Sequence, residues 1–221
     1  MILIMKKLSF YGLCFVVLLS SCVKKPAPEP VGEAKFRALN ATSGSIAQDV
    51  YFNSNKVNIA PLAYGQVSAY QTILSGPSYF GFTDNGSTIA NIEIPRAVKI
   101  GEHITVLYYS LPNGSKNVGF LVDDMVAPAT GKAKVRFVNL NGFFLDRFSV
   151  QLVGGAPIVA SLPYENSSAY AEVDAGATFK LLAQGLTSDP LINANIQAGK
   201  IYTFWVDGTA TELVTHVMIQ N

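Results

Sequence analysis

The sequence predicts an all-β protein built from two tandem β-sandwich domains. Three observations predict this class: a repeat with a period close to 99 residues, short runs in which apolar and polar residues alternate, and turn residues between those runs. No stretch shows ten or more residues of clean helical periodicity. A period of this length is too long for a solenoid repeat and suits two domains of about 100 residues each.

The repeat sets the domain boundaries. Segment 34–40 (Ala-Lys-Phe-Arg-Ala-Leu-Asn) matches segment 133–139 (Ala-Lys-Val-Arg-Phe-Val-Asn), and Ser-Ala-Tyr at 68–70 recurs at 168–170. A Gly-x-x-x-Thr pattern from Gly101 likewise recurs from Gly199. We therefore expect one domain over residues 34–129 and a second over 132–221, with a short joint between them.

Within each copy the apolar residues alternate with the period of a strand. Phe36 and Ala38 alternate with Lys35 and Arg37, which predicts a strand with one buried face and its charges on the solvent side. The second copy repeats this with Val135, Phe137, Lys134 and Arg136, and similar alternation places Ile104, Val106 and Tyr108, and Tyr202, Phe204 and Val206, on single faces. Turns are expected at Asp84-Asn85-Gly86, Pro112-Asn113-Gly114, Gly154-Gly155 and Asp207-Gly208.

The chain begins with the three parts of an export signal. Lys6-Lys7 form a basic region, residues 8–19 form a mostly apolar region too short to span a membrane, and Leu19-Ser20-Ser21-Cys22 follows. This last motif resembles the lipobox of bacterial lipoproteins. It predicts that residues 1–21 form a signal peptide, that cleavage falls between Ser21 and Cys22, and that Cys22 carries the lipid. Translation could begin at Met1 or Met5, and both starts stay open.

Residues 22–33 are expected to form a lipidated tether, because three prolines in five residues favour an extended chain. The predicted location is the cell envelope, with the N-terminal lipid in the outer membrane. In Bacteroidetes-like lipoproteins an acidic stretch after the cysteine often directs the protein to the outer surface. Val23-Lys24-Lys25 stand there instead, so the periplasmic and the surface side both stay open.

Composition excludes several functional classes. The formal net charge is +1, and removal of Lys6 and Lys7 changes it to 1 − 2 = −1, which favours no nucleic-acid partner. Cys14 leaves with the signal, so the mature chain has no disulfide, thiol centre or cysteine-based zinc site. We expect no cofactor and no zinc site, because His103 and His216 lie in different copies. Calcium binding by the adjacent acids Asp123 and Asp124 stays open.

No motif of a catalytic site occurs, and we expect a protein that is not an enzyme. There is no Gly-x-Ser-x-Gly elbow and no glycine-rich phosphate loop. A glycan-active enzyme stays open as a remote alternative, because its two carboxylates can come from distant strands. The candidate acids would be Asp49, Glu93, Asp146, Glu172 and Asp174.

Aromatic residues are the predicted ligand-facing groups, because exposed rings stack on sugars and anchor interfaces. The candidates are Trp205, Tyr109 and Tyr64. Trp205 alternates with Phe204 and Val206 and is therefore expected on the opposite face, where it would cover the second sheet, the domain interface or a ligand. Tyr70 and Tyr170 recur in both copies and are expected to pack as corner residues of the fold.

The motifs resemble the family known as domain of unknown function 4397. The resemblance lies in the opening Ala-Lys-Val-Arg-Phe-Val-Asn strand, the Leu121-Val122-Asp123-Asp124 segment, the Ser-Ala-Tyr turn and the Gly199-Lys200-x-Tyr202-Thr203 strand entry, and it extends over residues 33–221. It implies paired immunoglobulin-like or transthyretin-like β-sandwiches in bacterial envelope proteins, with no catalytic residue to carry over. The Ser-Pro-Asp-Ala-Pro-like loop that often follows the first strand is replaced here by residues 41–45 and 140–143.

The predicted tether, the two tandem sandwiches and the family resemblance together favour a lipid-anchored binding or adhesion module. Its partner would be a glycan or an envelope protein. The alternative is a structural or assembly partner of a periplasmic complex.

Overall fold

A computed structural model describes residues 30–143, 147–186 and 188–221. Within these ranges the chain forms sixteen β-strands and no helix, so the all-β prediction is confirmed. It follows that none of these residues lies in a helix able to cross a bilayer. The predicted signal peptide, Ser21 and Cys22 lie outside the described residues, as does Asp146.

The strands of the first half form two four-stranded sheets. Sheet A has the order β4-β1-β7-β8 and sheet B has the order β3-β2-β5-β6. The strands are β1 (Glu33–Asn40), β2 (Gln48–Phe52), β3 (Asn55–Lys56), β4 (Gln71–Leu74), β5 (Gly76–Asp84), β6 (Ala90–Val98), β7 (His103–Ser110) and β8 (Lys116–Val122).

The second half forms two more four-stranded sheets. Sheet C has the order β12-β9-β15-β16 and sheet D has the order β11-β10-β13-β14. The strands are β9 (Lys132–Asn139), β10 (Arg147–Leu152), β11 (Pro157–Pro163), β12 (Ala171–Asp174), β13 (Phe179–Leu182), β14 (Leu191–Ile192), β15 (Ile201–Gly208) and β16 (Leu213–Ile219). Sheets A and B form a first β-sandwich, and sheets C and D form a second.

Both sandwiches use the same strand pairing. In each, the first strand pairs in parallel with a long central strand: β1 with β7, and β9 with β15. Arg37 is thereby opposite Thr105, and Arg136 is opposite Thr203. Residues 31–221 form one compact unit, so the domain boundaries themselves stay a prediction.

Three apolar clusters hold the four sheets together. One fills the first sandwich around Phe36, Phe80 and Phe82, and a second fills the other sandwich around Phe137, Phe179 and Phe204. A third lies between sheets A and C and joins the two sandwiches through the outward faces of their central strands. Its buried members are Leu39, Ala41, Leu107, Tyr109, Leu121, Val138, Leu140, Trp205 and Met218.

The third cluster corrects the expectation that charges on the opening strands face solvent. Arg37 and Arg136 are buried, because the outer face of sheet A is covered by sheet C. Lys35, nearer the strand start, is exposed as expected. The central strands of sheets A and C are therefore buried on both faces, which agrees with the nearly unbroken apolar runs of β7 and β15.

Candidate functional site: a pocket on the outer face of sheet B

Sheet B turns one face to the core of the first sandwich and the other to solvent. Val50, Phe80, Phe82 and Ile92 face the core, so the residues between them point outward. The strand register aligns Tyr51 of β2 with Gly81 of β5. It also aligns Gly81 with Glu93 of β6, so an aromatic ring, a glycine and a carboxylate form one row across three strands.

A pocket of about 600 Å³ is larger than the pocket over Gly81, but its chemistry is less specific. It is formed by loop 57–71 and offers small and aliphatic side chains, two glutamines, an asparagine and a serine. The pocket over Gly81 measures about 380 Å³ and combines a ring, hydroxyls and a carboxylate. It is lined by Tyr51, Ser54, Gly81, Phe82, Thr83, Thr88, Ala90 and Glu93. We take this second pocket, the Gly81 pocket, as the candidate site.

The glycine at its floor is not required by the backbone. Gly81 is not among the residues with positive φ, so an L-residue fits its conformation. A Cβ added there would meet Tyr51 Cβ at 3.6 Å and Glu93 Cγ at 3.7 Å, which are ordinary contacts. Neither backbone strain nor close packing requires glycine at this position. The effect of having no side chain at Gly81 is the open space above it.

Two hydroxyl-bearing residues at the pocket, Ser54 and Thr83, have features that the fold does not require. Ser54 has a φ of 65° in the two-residue turn between β2 and β3, a position at which glycine is preferred. Thr83 is buried, and its hydroxyl has no hydrogen-bond partner among the described residues. Backbone strain and unsatisfied polar groups concentrate at functional sites, because the fold alone would select against them.

The charge beside the pocket is largely neutralised. Asp49 lies on the same face, opposite Thr83, and its Oδ1 is 2.8 Å from Lys56 Nζ. Glu93 is exposed and is the one carboxylate in the lining. Tyr79, two residues before Gly81 on the same face, is exposed and adds a second ring beside the pocket.

The second sandwich provides an internal comparison. Its register pairs Gln151 with Lys180, and Lys180 with Leu191, at the positions of Tyr51, Gly81 and Glu93. Lys180 Nζ also lies 3.0 Å from Asp189 Oδ2, an ion pair at the partly exposed surface. The same scaffold is thus built without a ring, a glycine or a carboxylate in this row, so the shared fold does not explain them in the first sandwich.

Two of the aromatic residues predicted to face a ligand are buried. Trp205 is 1% exposed and Tyr109 is 5% exposed, and both belong to the cluster between sheets A and C. The Trp205 ring stacks on His216 with centroids 4.7 Å apart. Tyr109 donates a hydrogen bond to Glu165 Oε1 at 2.5 Å. Of the three places considered for Trp205, the structure therefore selects the interface between sandwiches, and neither ring is presented at a surface.

Tyr64 is also used between the two sandwiches. Its hydroxyl donates to Asp207 Oδ2 at 2.7 Å and lies 3.0 Å from His216 Nε2. Burial raises the pKa of Tyr64, and the hydrogen bond to the Asp207 carboxylate raises it further. Tyr64, Asp207 and His216 fasten a loop of the first sandwich to β15 and β16 of the second.

The predicted corner tyrosines pack against the buried arginines. The guanidinium of Arg37 lies 4.6 Å from the Tyr70 ring centroid, and Arg136 lies 4.6 Å from that of Tyr170. Such stacking combines cation–π attraction with burial of the ring.

Asp123 and Asp124 bind side chains of the protein. Asp123 accepts from Arg136 Nη2 at 2.5 Å, and from Thr105 Oγ1 and the Tyr70 hydroxyl at 2.6 Å each. Asp124 accepts from Lys134 Nζ at 2.6 Å, and this hydrogen bond lowers the pKa of Asp124. Among the described residues no group of three or more His, Cys, Asp or Glu is placed to hold a metal ion.

The other acids considered for catalysis are dispersed. Glu172 accepts from the Ala129 amide at 3.0 Å, and Asp174 pairs with Lys132 at 2.8 Å. The His103 ring makes a T-shaped contact with the Tyr70 ring in the first sandwich, whereas His216 lies in the second. Of the four candidate acids that the structure describes, Glu93 alone lines the Gly81 pocket.

Sequence reasoning included Glu93 among five acids but missed Tyr51 and Gly81. The signal that could have found them is the repeat itself, since strand-by-strand alignment shows positions where only one copy has an aromatic residue or a glycine.

Comparison with known proteins gives one family match. Residues 34–142 match the family described as "Domain of unknown function (DUF4397)", so the chain resembles this family over its first half. The resemblance of residues 143–221 stays a prediction. No curated protein matches the sequence.

Solved structures give distant similarities. A CBM26 carbohydrate-binding module of Eubacterium rectale Amy13K, in complex with maltoheptaose, aligns with a TM-score of 0.27 and 14% identity over 83% of this chain and 96% of that one. The tip fimbrial protein Mfa3 of Porphyromonas gingivalis aligns with a TM-score of 0.25 and 12% identity over 86% and 99%. The Bacillus anthracis TIE protein aligns with a TM-score of 0.25 and 14% identity over 80% and 34%. At these TM-scores the similarities carry no argument about function.

Proposed function

We propose that this protein is a lipid-anchored envelope module that binds a hydroxyl-rich ligand of the carbohydrate class in the Gly81 pocket, without catalysis. The observation that carries the proposal is the row Tyr51, Gly81 and Glu93, which the second sandwich replaces with Gln151, Lys180 and Leu191 in the same register.

The chemistry of the row fits a sugar ring. The C–H face of a pyranose packs on an aromatic side chain, and Tyr51 supplies one at the wall of the pocket. Glu93 supplies a hydrogen-bond acceptor, while Ser54 and Thr88 supply hydroxyls that both donate and accept. An apolar wall with a few convergent polar groups is the usual composition of a small-molecule site.

The number of carboxylates at the pocket supports binding without turnover. Glycoside hydrolysis by the usual mechanism uses a pair of carboxyl groups on either side of the scissile bond. The lining of the Gly81 pocket contains one, and the neighbouring Asp49 is paired with Lys56.

The ligand is tested with the mature chain carrying Cys22→Ser, screened against immobilised glycans and then titrated calorimetrically. We expect Tyr51→Ala to weaken binding by about tenfold or more, because it removes the stacking ring. Gly81→Lys should abolish binding by filling the pocket with the residue that the second sandwich carries there. Gln151→Ala and Lys180→Ala, at the matching positions of sheet D, are the controls and should leave affinity unchanged. Absence of any glycan ligand, or equal affinity of Tyr51→Ala and the parent, would refute the proposal.

The anchor is tested separately in cells. Cys22→Ala should move the protein out of the membrane fraction and abolish incorporation of labelled fatty acid, since the thiol that carries the lipid is gone. Protease treatment of intact cells then reports the side: loss of a C-terminal tag supports a surface adhesion module, and its survival supports a periplasmic location. Incorporation of label into the Cys22→Ala variant would refute lipidation at this residue.

A further inference from the structure

Three exposed apolar side chains belong to segments that meet at the end of the first sandwich where β1 begins. Val31 is 63% exposed, Leu74 is 64% exposed and Ile100 is 54% exposed. Leu74 is opposite Glu33 in the β1–β4 pair, and the Ser75 amide donates to the Gly32 carbonyl at 2.8 Å. Ile100 packs on Gly32 so closely that a Cβ there would be 2.8 Å from Ile100 Cγ2. We call Val31, Leu74 and Ile100 the entry patch.

The second sandwich has the same geometry without the apolar residues. Lys132 is opposite Asp174 as Glu33 is opposite Leu74. The Gly199 amide donates to the Lys132 carbonyl as the Gly101 amide donates to the Glu33 carbonyl. This alignment places Thr130, Asp174 and Ala198 at the positions of the entry patch. The shared scaffold therefore does not require exposed apolar groups here, and those of the first sandwich need another explanation.

The entry patch lies close in sequence to the predicted lipid anchor. Val31 follows Cys22 by 31 − 22 = 9 residues. Nine residues of proline-rich chain span at most roughly 28 Å, at ~3.1 Å per residue. If Cys22 carries a lipid, this end of the sandwich is held within that distance of the bilayer, and a tethered surface meets its target at a high effective concentration.

We propose that the entry patch rests on the lipid surface, with its three apolar side chains at the boundary between head groups and acyl chains. This rests on the lipid anchor of the proposed function. Side chains of this size insert into that boundary when a second signal holds them there. The exposed Lys99, adjacent to Ile100, and the exposed Lys35 on β1 supply positive charge that attracts lipid phosphates. Of the nearby acids, Glu33 is exposed and Glu102 is paired with Arg96.

The experiment exploits the cysteine content of the chain. Cys22 is the only cysteine of the predicted mature protein, and its thiol is acylated in the lipoprotein. Lipidated protein carrying Leu74→Cys is labelled with an environment-sensitive fluorophore and reconstituted into vesicles of phosphatidylethanolamine and phosphatidylglycerol. Asp174→Cys, at the matching position of the second sandwich, is the control.

We expect the label at position 74 to shift its emission to shorter wavelength on reconstitution. Nitroxide-bearing lipids should quench it at least about twofold more than the label at position 174, because insertion reaches the head-group boundary only at the patch. Flotation of the vesicles is measured in the same samples. Protein that floats while both labels stay in water keeps the anchor and overturns the entry patch as a membrane contact. Protein that fails to float overturns both the anchor and the contact.

Discussion

At the scale of single residues, Glu165 shows how contact between the sandwiches outweighs local strain. Its φ is 60°, in the left-handed region, whereas Gly65 stands at the corresponding position of the first sandwich with a φ of 80°. The correspondence is fixed by the backbone, since Gly65 donates to the Asn40 carbonyl and Glu165 to the Asn139 carbonyl. The Glu165 carboxylate accepts hydrogen bonds from Tyr109 at 2.5 Å and from Asn117 at 2.9 Å.

Replacing Glu165 separates the strain from the contact. Glu165→Ala keeps the left-handed strain and loses both hydrogen bonds, so we expect the free energy of unfolding to fall by about 2 kcal/mol. Glu165→Gly loses the same bonds but relieves the strain, and should be about 1 kcal/mol more stable than Glu165→Ala. Urea denaturation followed by circular dichroism measures both. Equal stability of the two variants would show that no strain is stored at this position.

Residue patterns predicted which face a side chain lies on, but not what covers that face. Trp205 was correctly placed opposite Phe204, and yet alternation could not say that sheet A packs against it. The alternation predicts that Arg37 lies in solvent, because charge normally marks the exposed face. Its burial depends on acceptors supplied by the other sandwich, some 180 residues away in sequence. The Gly81 pocket was missed for a related reason, since Tyr51, Gly81 and Glu93 meet only through the register of three strands.

At the scale of strands, β1 contacts β16 and β9 contacts β8 in an equivalent way across the interface between sheets A and C. Arg37 Nη1 donates to the Ile219 carbonyl at 2.9 Å, and Arg136 Nη1 donates to the Val122 carbonyl at 2.7 Å. Val122 and Ile219 occupy the same register position, opposite Ile104 and Tyr202 respectively. Reciprocal contacts of this kind are the signature of a two-fold interface, here formed within one chain.

The symmetry also breaks at the two residues that follow β8 and β16. Asp123 accepts from Arg136 and Thr105, whereas the corresponding Gln220 presents its amide oxygen to Thr203 Oγ1 at 2.5 Å and to Arg37 Nη2 at 3.3 Å. The amide orientation that gives both of its atoms partners also lets its nitrogen donate to the Ile201 carbonyl. Two buried guanidinium groups thus share one carboxylate and one neutral amide.

Exchanging these two residues tests the pseudo-symmetry. Asp123→Gln leaves both arginines buried without a carboxylate and should lower the free energy of unfolding by about 3 kcal/mol or more. Adding Gln220→Glu places a carboxylate beside Arg37, and the double variant should regain at least about half of the loss. Thermal and urea denaturation of the parent, the two single variants and the double variant give the free energies of unfolding for a double-mutant cycle. If Gln220→Glu leaves the Asp123→Gln variant as unstable as before, the two positions are not equivalent.

At the scale of the whole molecule, the four sheets form successive layers in which the central strands of the two inner sheets are covered on both faces. The interface between sandwiches contains the single tryptophan of the chain, so fluorescence of Trp205 reports directly on their contact. Tyrosines surround this interface with their hydroxyls bound to carboxylates of the protein. Burial, followed by the neighbouring acids, raises the pKa of Tyr64, Tyr70 and Tyr109 above its usual value of about 10.

These raised pKa values predict that the interface weakens in alkali. A tyrosine whose folded pKa is raised stays neutral in the native state but loses its proton near pH 10 once unfolded. Its contribution to stability is therefore complete below about pH 10 and declines above it, by up to about 1.4 kcal/mol per pH unit for one such group. Urea denaturation between pH 8 and 11, followed by Trp205 emission, should show midpoints that are constant at first and then fall.

Removing one buried tyrosine hydroxyl should make the urea midpoint fall less steeply with rising pH. Tyr109→Phe is expected to lower stability at pH 8, because Glu165 loses a donor, and to reduce the slope above pH 10, because one titrating group is gone. Tyr79→Phe, on the exposed face of sheet B, is the matched control for loss of a hydroxyl and should leave the slope close to that of the parent. Parallel pH curves for Tyr109→Phe and the parent would mean that the neutral Tyr109 hydroxyl does not stabilise the contact between the sandwiches.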